Sequence, residues 1–206
     1  MTNHPAIKRL EDDLAIAEQA LLEAGRVMAS FVIMTPRKRL IVAMSAENPR
    51  ERAIYYALLR LLCYAENAFA VTQIAECWMH FEGIRDQETI EELAERAKKV
   101  SPSQAPDRLE GIVAATCYRG KDRKISIALG AREIIRDTDG QPTGTKPPPF
   151  PEDSLPYDAA LTQLLPPALF SEEQQQAARR ELIIAQAIAG IFLRPTEIPV
   201  ASGAPE

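Results

Sequence analysis

"AVTQIAECWMHFEG", residues 70–83, reads as a β-strand. Its apolar and polar residues alternate, so Thr72, Ile74, Glu76, Trp78 and His80 share one face. Val71, Gln73, Ala75, Cys77 and Met79 share the other, which is plain core. The first face sets a carboxylate beside the single tryptophan of the chain. Burying that carboxylate without a partner costs about 2 kcal/mol or more. Arg108, in "APDRLEG" (105–111), is the expected partner. Its guanidinium can pair with Glu76 or Glu110 and stack on Trp78. The group is then either a structural ion pair at the end of the sheet or, in a sharper reading, the rim of a pocket for a small ligand.

Upstream, "ASFVIM" (29–34) and "LIVAM" (40–44) are continuous apolar runs around the charged turn "TPRKR" (35–39). They are expected to be paired strands covered on both faces, with the turn in water. A helix is expected over 5–24, with Pro5 at its first position, Leu10, Leu14, Ala17 and Leu21 at helical spacing, and Gly25 as its stop. A second is expected within 47–67, capped by Asn48, with Pro49 first and Glu51 three residues after the cap. Ala53, Ile54, Ala57, Leu58, Leu61, Leu62 and Ala65 form its expected apolar stripe, which lies across the sheet.

Downstream, Asp86 is expected to cap a short amphipathic helix with Ile90, Leu93, Ala94 and Ala97 inward. "LEGIVAATCYR" (109–119) and "KISIALGAREII" (124–135) are two further strands flanking a turn near Gly120. Residues 137–153 are rich in proline and glycine and read as an extended linker. Beyond it come a short helix near 157–165 and a longer one from about Ser171 to Leu193, ended by Pro195.

The expected fold class is therefore α+β: a largely antiparallel sheet of about five strands in the order α-β-β-α-β-α-β-β, with packed helices. The expected organisation is an α+β domain over 1–136, a linker over 137–156, a helical extension over 157–194 and a flexible tail over 195–206. Cutting the chain after Gly140 is expected to leave a soluble but smaller assembly.

Composition narrows the function. The chain has 206 residues, 26% of them charged, with a net charge of −5. That is ordinary globular composition, and the acidic balance argues against gripping nucleic-acid backbones. The short basic runs "TPRKR" (35–39) and "RGKDRK" (119–124) read as solvated hairpin tips. The longest apolar run, 182–193, falls short of the ~20 residues a bilayer needs. Three cysteines in apolar surroundings make no disulfide framework and point to a reducing cytoplasm.

Cys63, Cys77, His80 and Cys117 nominally suggest zinc, but residues three apart on a strand face opposite ways, so Cys77 and His80 cannot grip one ion. The same geometry removes a Cys77–His80 nucleophilic pair, and no metal, cofactor or catalytic residue is assigned. A second chemistry comes from Pro106-Asp107 and Asp122-Arg123-Lys124. These resemble the signature of nucleases that carry Pro-Asp followed by Asp/Glu-x-Lys, in which two acids hold a divalent metal and the lysine helps activate water. A metal-dependent nuclease or hydrolase using Asp107, Asp122 and Lys124 is the alternative function, although here the acid and lysine sit beside a turn rather than inside a strand.

"ECWM" (76–79), followed by "APDRLEG" (105–111) and a strand pair, resembles a widespread bacterial and phage-borne family whose role is uncharacterised. Its members read roughly Ser-Glu-Ala-Trp-Met, then Asp-Pro-x-Arg-x-Glu, then a hairpin. Glu76, Trp78, Arg108 and Glu110 fall on that pattern. Ala75 and Cys77, the exchanged Pro106 and Asp107, and the long C-terminal extension depart from it. The resemblance covers about residues 25–140 and implies no activity, cofactor or substrate, only a phage or mobile-element setting. The expected function is a non-enzymatic protein-interaction or assembly role. In this reading a homo-oligomer or a protein partner is engaged by the apolar C-terminal helix, and Glu76, Trp78, Arg108 and Glu110 are the candidate binding residues.

Overall fold

Helix α1 (Pro5–Ala24) forms where the spacing of its leucines predicts it: Leu10, Leu14, Ala17 and Leu21 are buried, and Gly25 ends it in a left-handed conformation. This is a computed structural model; it describes residues 5–79, 89, 92, 104–105, 108–119, 124–149 and 159–198. After α1 come β1 (Ser30–Met34), β2 (Arg39–Ala43), α2 (Pro49–Ala65), β3 (Ala70–Met79), β4 (Leu109–Arg119), β5 (Ile125–Arg136) and β6 (Pro142–Lys146). A 3-10 helix (Ala159–Gln163), α3 (Glu172–Ala189) and β7 (Thr196–Ile198) follow.

The strands form one sheet in the order β6-β5-β4-β3-β1-β2-β7, and every neighbouring pair is antiparallel. The mixed α and β character agrees with the expectation, but the sheet has seven strands rather than about five. Among the described residues the element order is also different, α-β-β-α-β-β-β-β-α-β. The helix expected around 86–97 lies outside the described residues.

Both extra strands sit at sheet edges, in segments expected to be linker and tail. Pro142 opens β6 at an outer edge, where a missing backbone N–H costs no ladder bond. The Asp137 carboxylate accepts the amides of Asp139 and Gln141, and Gly140 takes φ +79°, which turns the chain from β5 into β6. Proline-rich composition thus conceals a hairpin. At the opposite edge, β7 adds three residues to β2, just after Pro195.

α1 covers one face of the sheet over β3, β4, β5 and β6, burying Val32, Ile74, Ile112 and Ile134. α2 covers the other face with Tyr56, Leu59, Leu62 and Cys63. The buried side of α2 is rotated from the expected stripe, since Ala53 and Ala57 are exposed while Leu59 and Cys63 meet the sheet. Its cap is as expected: Asn48 accepts the Glu51 amide, and the Glu51 carboxylate accepts the amide of Glu47 and the side-chain amide of Asn48.

Leu161, Leu164 and Leu165 are buried in the same core as Phe31, Ile33 and Val71. The C-terminal part therefore completes the core, and cutting after Gly140 would uncover it. α3 stacks on α2 through Ala178 and Leu182. Ser171 and Gln174 close a capping box at its start, and Gly190, at φ 68°, stops it before the expected limit at Leu193.

Candidate functional site

Strand parity puts Glu76 and Trp78 on the α1 side of β3, and register sets Trp78 opposite Glu110 and Glu76 opposite Ile112. Arg136, at the end of β5, reaches both carboxylates. Its Nε donates to Glu110 Oε2 at 2.6 Å, its Nη2 to Glu110 Oε1 at 2.5 Å, and Nη2 lies 3.6 Å from Glu76 Oε1. Its Nη1 donates to the Gly140 carbonyl at 3.0 Å. Glu76 Oε2 in turn accepts the Val27 amide at 2.9 Å. One guanidinium thus ties together three adjacent strands and the β5–β6 turn, while Glu76 anchors the α1–β1 connection.

All three charged side chains are at least three-quarters buried. The Arg136 hydrogen bonds hold the Glu110 carboxyl below the usual carboxylate range, against the opposing effect of burial. The same bonds raise Arg136 above its already high value. At neutral pH both groups are locked in their charged forms. A carboxylate whose lone pairs are spent on a bidentate guanidinium is a poor general acid or base, so this network is suited to holding strands in register.

Arg108 lies over the Trp78 ring, its guanidinium carbon 4.8 Å from the ring centre, which is the expected stacking. The guanidinium that clamps the two carboxylates is Arg136, which the sequence reading missed. Residues Arg132, Ile134 and Arg136 share a face by alternation, but only the register of β5 on β4 shows which arginine meets Glu110.

The cysteines occupy separate places. Cys63 and Cys117 are buried together in the α2-side core, whereas Cys77 pairs in register with Gly111 near the other end of β3. Cys117 pairs with Val71, six residues from Cys77 along β3, roughly 20 Å at strand rise. Burial pushes the Cys63 thiol well up, and the Cys77 and Cys117 thiols up to about 11, so they are protonated at neutral pH. Among the described residues no three His, Cys, Asp or Glu side chains converge as a metal site requires. Lys124 is exposed just before β5, while His80, Asp107 and Asp122 lie outside the described residues.

The run 35–39 holds a residue with a different fate from its neighbours. Arg37 is exposed as expected of a solvated tip, but Arg39 belongs to β2, faces α1 and is buried against Asp13. Among the described residues no helix is long and apolar enough to cross a membrane. No protein-family model matches the chain, and no match is found among curated proteins or solved structures.

Proposed function

We propose that the chain is a non-enzymatic assembly protein of a reducing, cytoplasmic setting, joining a second copy of itself through the outer face of α3. The observation that carries this reading is the exposure of Ile183, Ile184, Ile188 and Phe192, with Ile188 83% exposed. Ile184 and Ile188 are one turn apart on a helix held in place by its capping box, its glycine stop and its packing on α2. Ile188 also borders a groove of about 660 Å³ whose walls include Ile54, Tyr55 and Ile191.

These side chains present on the order of 500 Å² of apolar surface, a size at which surface patches serve contacts. A two-fold pairing sets the ridge of each copy beside the groove of the other and removes roughly 1,000 Å² from water, about the minimum for a specific interface. The saturated Glu76–Glu110–Arg136 network and the protonated thiols support a role without catalysis.

Light scattering of the full chain at about 50 µM tests it, a concentration that detects a micromolar interface. The expected result is a dimer that becomes monomeric in Ile184→Asp/Ile188→Asp, with an unchanged circular-dichroism spectrum. A monomeric parent chain at that concentration refutes self-assembly through this face.

A further inference from the structure

A trough of about 320 Å³ runs along α1, on the face of the sheet opposite α2 and α3. Its helical wall carries Ala17, Ala20 and Ala24, small side chains at helical spacing that leave room between α1 and the strands. Its floor is set by register, which places Ile41 beside Val32 and Ser30 between Ala43 and Ile74. From Asp13 to Ala24 the helix rises by roughly 16 Å, the length of that wall. Exposed Ile16 and Met28 stand at the rim.

Three charged side chains border the trough, Asp13, Arg26 and Arg39. Asp13 and Arg39 form a buried ion pair at one end, and both carboxylate oxygens of Asp13 are out of reach of solvent. That pair cancels, so it adds no net charge to the trough. Arg26 stands at the other end, just past the stop of α1 at Gly25. It is exposed, and its side chain makes no ion pair or hydrogen bond among the described residues. One uncompensated cation is thus left beside a surface that is otherwise mostly apolar. A free surface arginine is ordinary by itself; its place at the mouth of an elongated apolar trough is what selects a ligand.

We infer that the trough binds an aliphatic carboxylate of medium chain length. Its carboxylate rests on Arg26, and its tail lies along Ala20, Ile41 and Ile74 toward the buried pair. A guanidinium at the surface takes both oxygens of a carboxylate while water still reaches the head. The tail displaces water from the alanine wall and covers Ile16 and Met28, which gives the binding its apolar drive. The volume is at the small end of ligand sites, which suits one chain of about eight carbons rather than a two-chain lipid. An alkylammonium of the same length meets Arg26 as a like charge. The site lies across the sheet from the α3 face, so it does not depend on the assembly reading.

Octanoate, octylammonium and acetate are the probes: the first two share a tail and differ in the sign of the head, and acetate has the head alone. Calorimetry on the full chain gives affinity. The methyl NMR signals of Ile41 and Ile74 report the place of binding, with those of Ile184 and Ile188 on α3 as the control. The expected result is saturable octanoate binding with a Kd below about 1 mM, at least about fivefold tighter than octylammonium, and no saturable binding of acetate. Arg26→Gln is expected to erase the preference for octanoate and Arg26→Glu to reverse it, both with the parent's melting temperature, because the side chain lies on the surface. Ala20→Trp, at the exposed rim, fills the trough and weakens octanoate by at least about tenfold. Octanoate that fails to saturate by about 5 mM, or that shifts the α3 signals in place of Ile41 and Ile74, overturns the proposal. So does equal binding of the two long-chain heads, a preference unchanged in Arg26→Glu, or binding unaffected by Ala20→Trp.

Discussion

Replacing Arg136 by Met keeps most of the aliphatic stem and removes the guanidinium from between Glu76 and Glu110. The bonds lost are the two to Glu110 at 2.5 and 2.6 Å and the one to Gly140 at 3.0 Å. Because the side chains keep about a quarter of their surface in water, each bond to Glu110 is taken at the low end of its range, about 1.5 kcal/mol, and the exposed bond to Gly140 adds little. The two carboxylates are then left facing one another, which adds a smaller repulsion. The expected loss is about 3–4 kcal/mol. With a urea dependence of about 2 kcal/mol/M, the unfolding midpoint falls by about 1.5–2 M. Adding Glu76→Gln and Glu110→Gln removes the stranded charges, while the amide side chain introduced by Glu76→Gln still offers an oxygen to the backbone N–H of Val27. The triple variant is therefore expected to regain about half of the loss, a coupling that urea titrations of the parent, single, double and triple variants read directly. A stability for Arg136→Met within about 0.5 kcal/mol of the parent, or strictly additive effects, would show that the network does not hold the sheet.

The same network has a pH signature. Glu110 has a depressed folded-state value, so its contribution is fully present above the ordinary carboxylate pKa near 4.5 and is lost as pH falls through the lower folded value. Thermal unfolding is expected to weaken below about pH 4.5 in the parent and to show a shallower acid limb in Arg136→Met; superimposable limbs would contradict this. In the core, Leu161→Ala is expected to cost about 3 kcal/mol in the same urea titration, because the side chain is fully buried in the cluster it shares with the sheet and α2. Truncation after Gly140 is expected to abolish cooperative unfolding, and a truncated chain that melts like the parent would show the C-terminal part to be dispensable.

Much of the local structure is legible in the residues themselves. Leucine spacing and Gly25 mark α1, Asn48, Pro49 and Glu51 mark the start of α2, and alternation assigns the faces of β3. These signals act over a few residues, so local energetics suffice to read them. The two edge strands were not legible. Their residues lack strand composition, and they pair because β5 and β2 offer open edges, which is a property of the assembled sheet.

The same division runs through the candidate sites. The sequence places Glu76, Trp78, Arg108 and Glu110 near one strand end, and the chemistry of the Arg108 guanidinium offers a stack on the indole, which the structure contains. Selecting Arg136 as the guanidinium between the acids requires the register of β4 on β5, a non-local quantity set by the whole hairpin. Arg39 shows the limit most clearly, since a basic run beside a turn has the composition of a solvated tip. Its burial depends on Asp13 of α1, which comes to lie against it only once that helix is packed on the sheet. A side chain's own chemistry states what partners it needs; only the tertiary fold decides which partners are near enough to supply them.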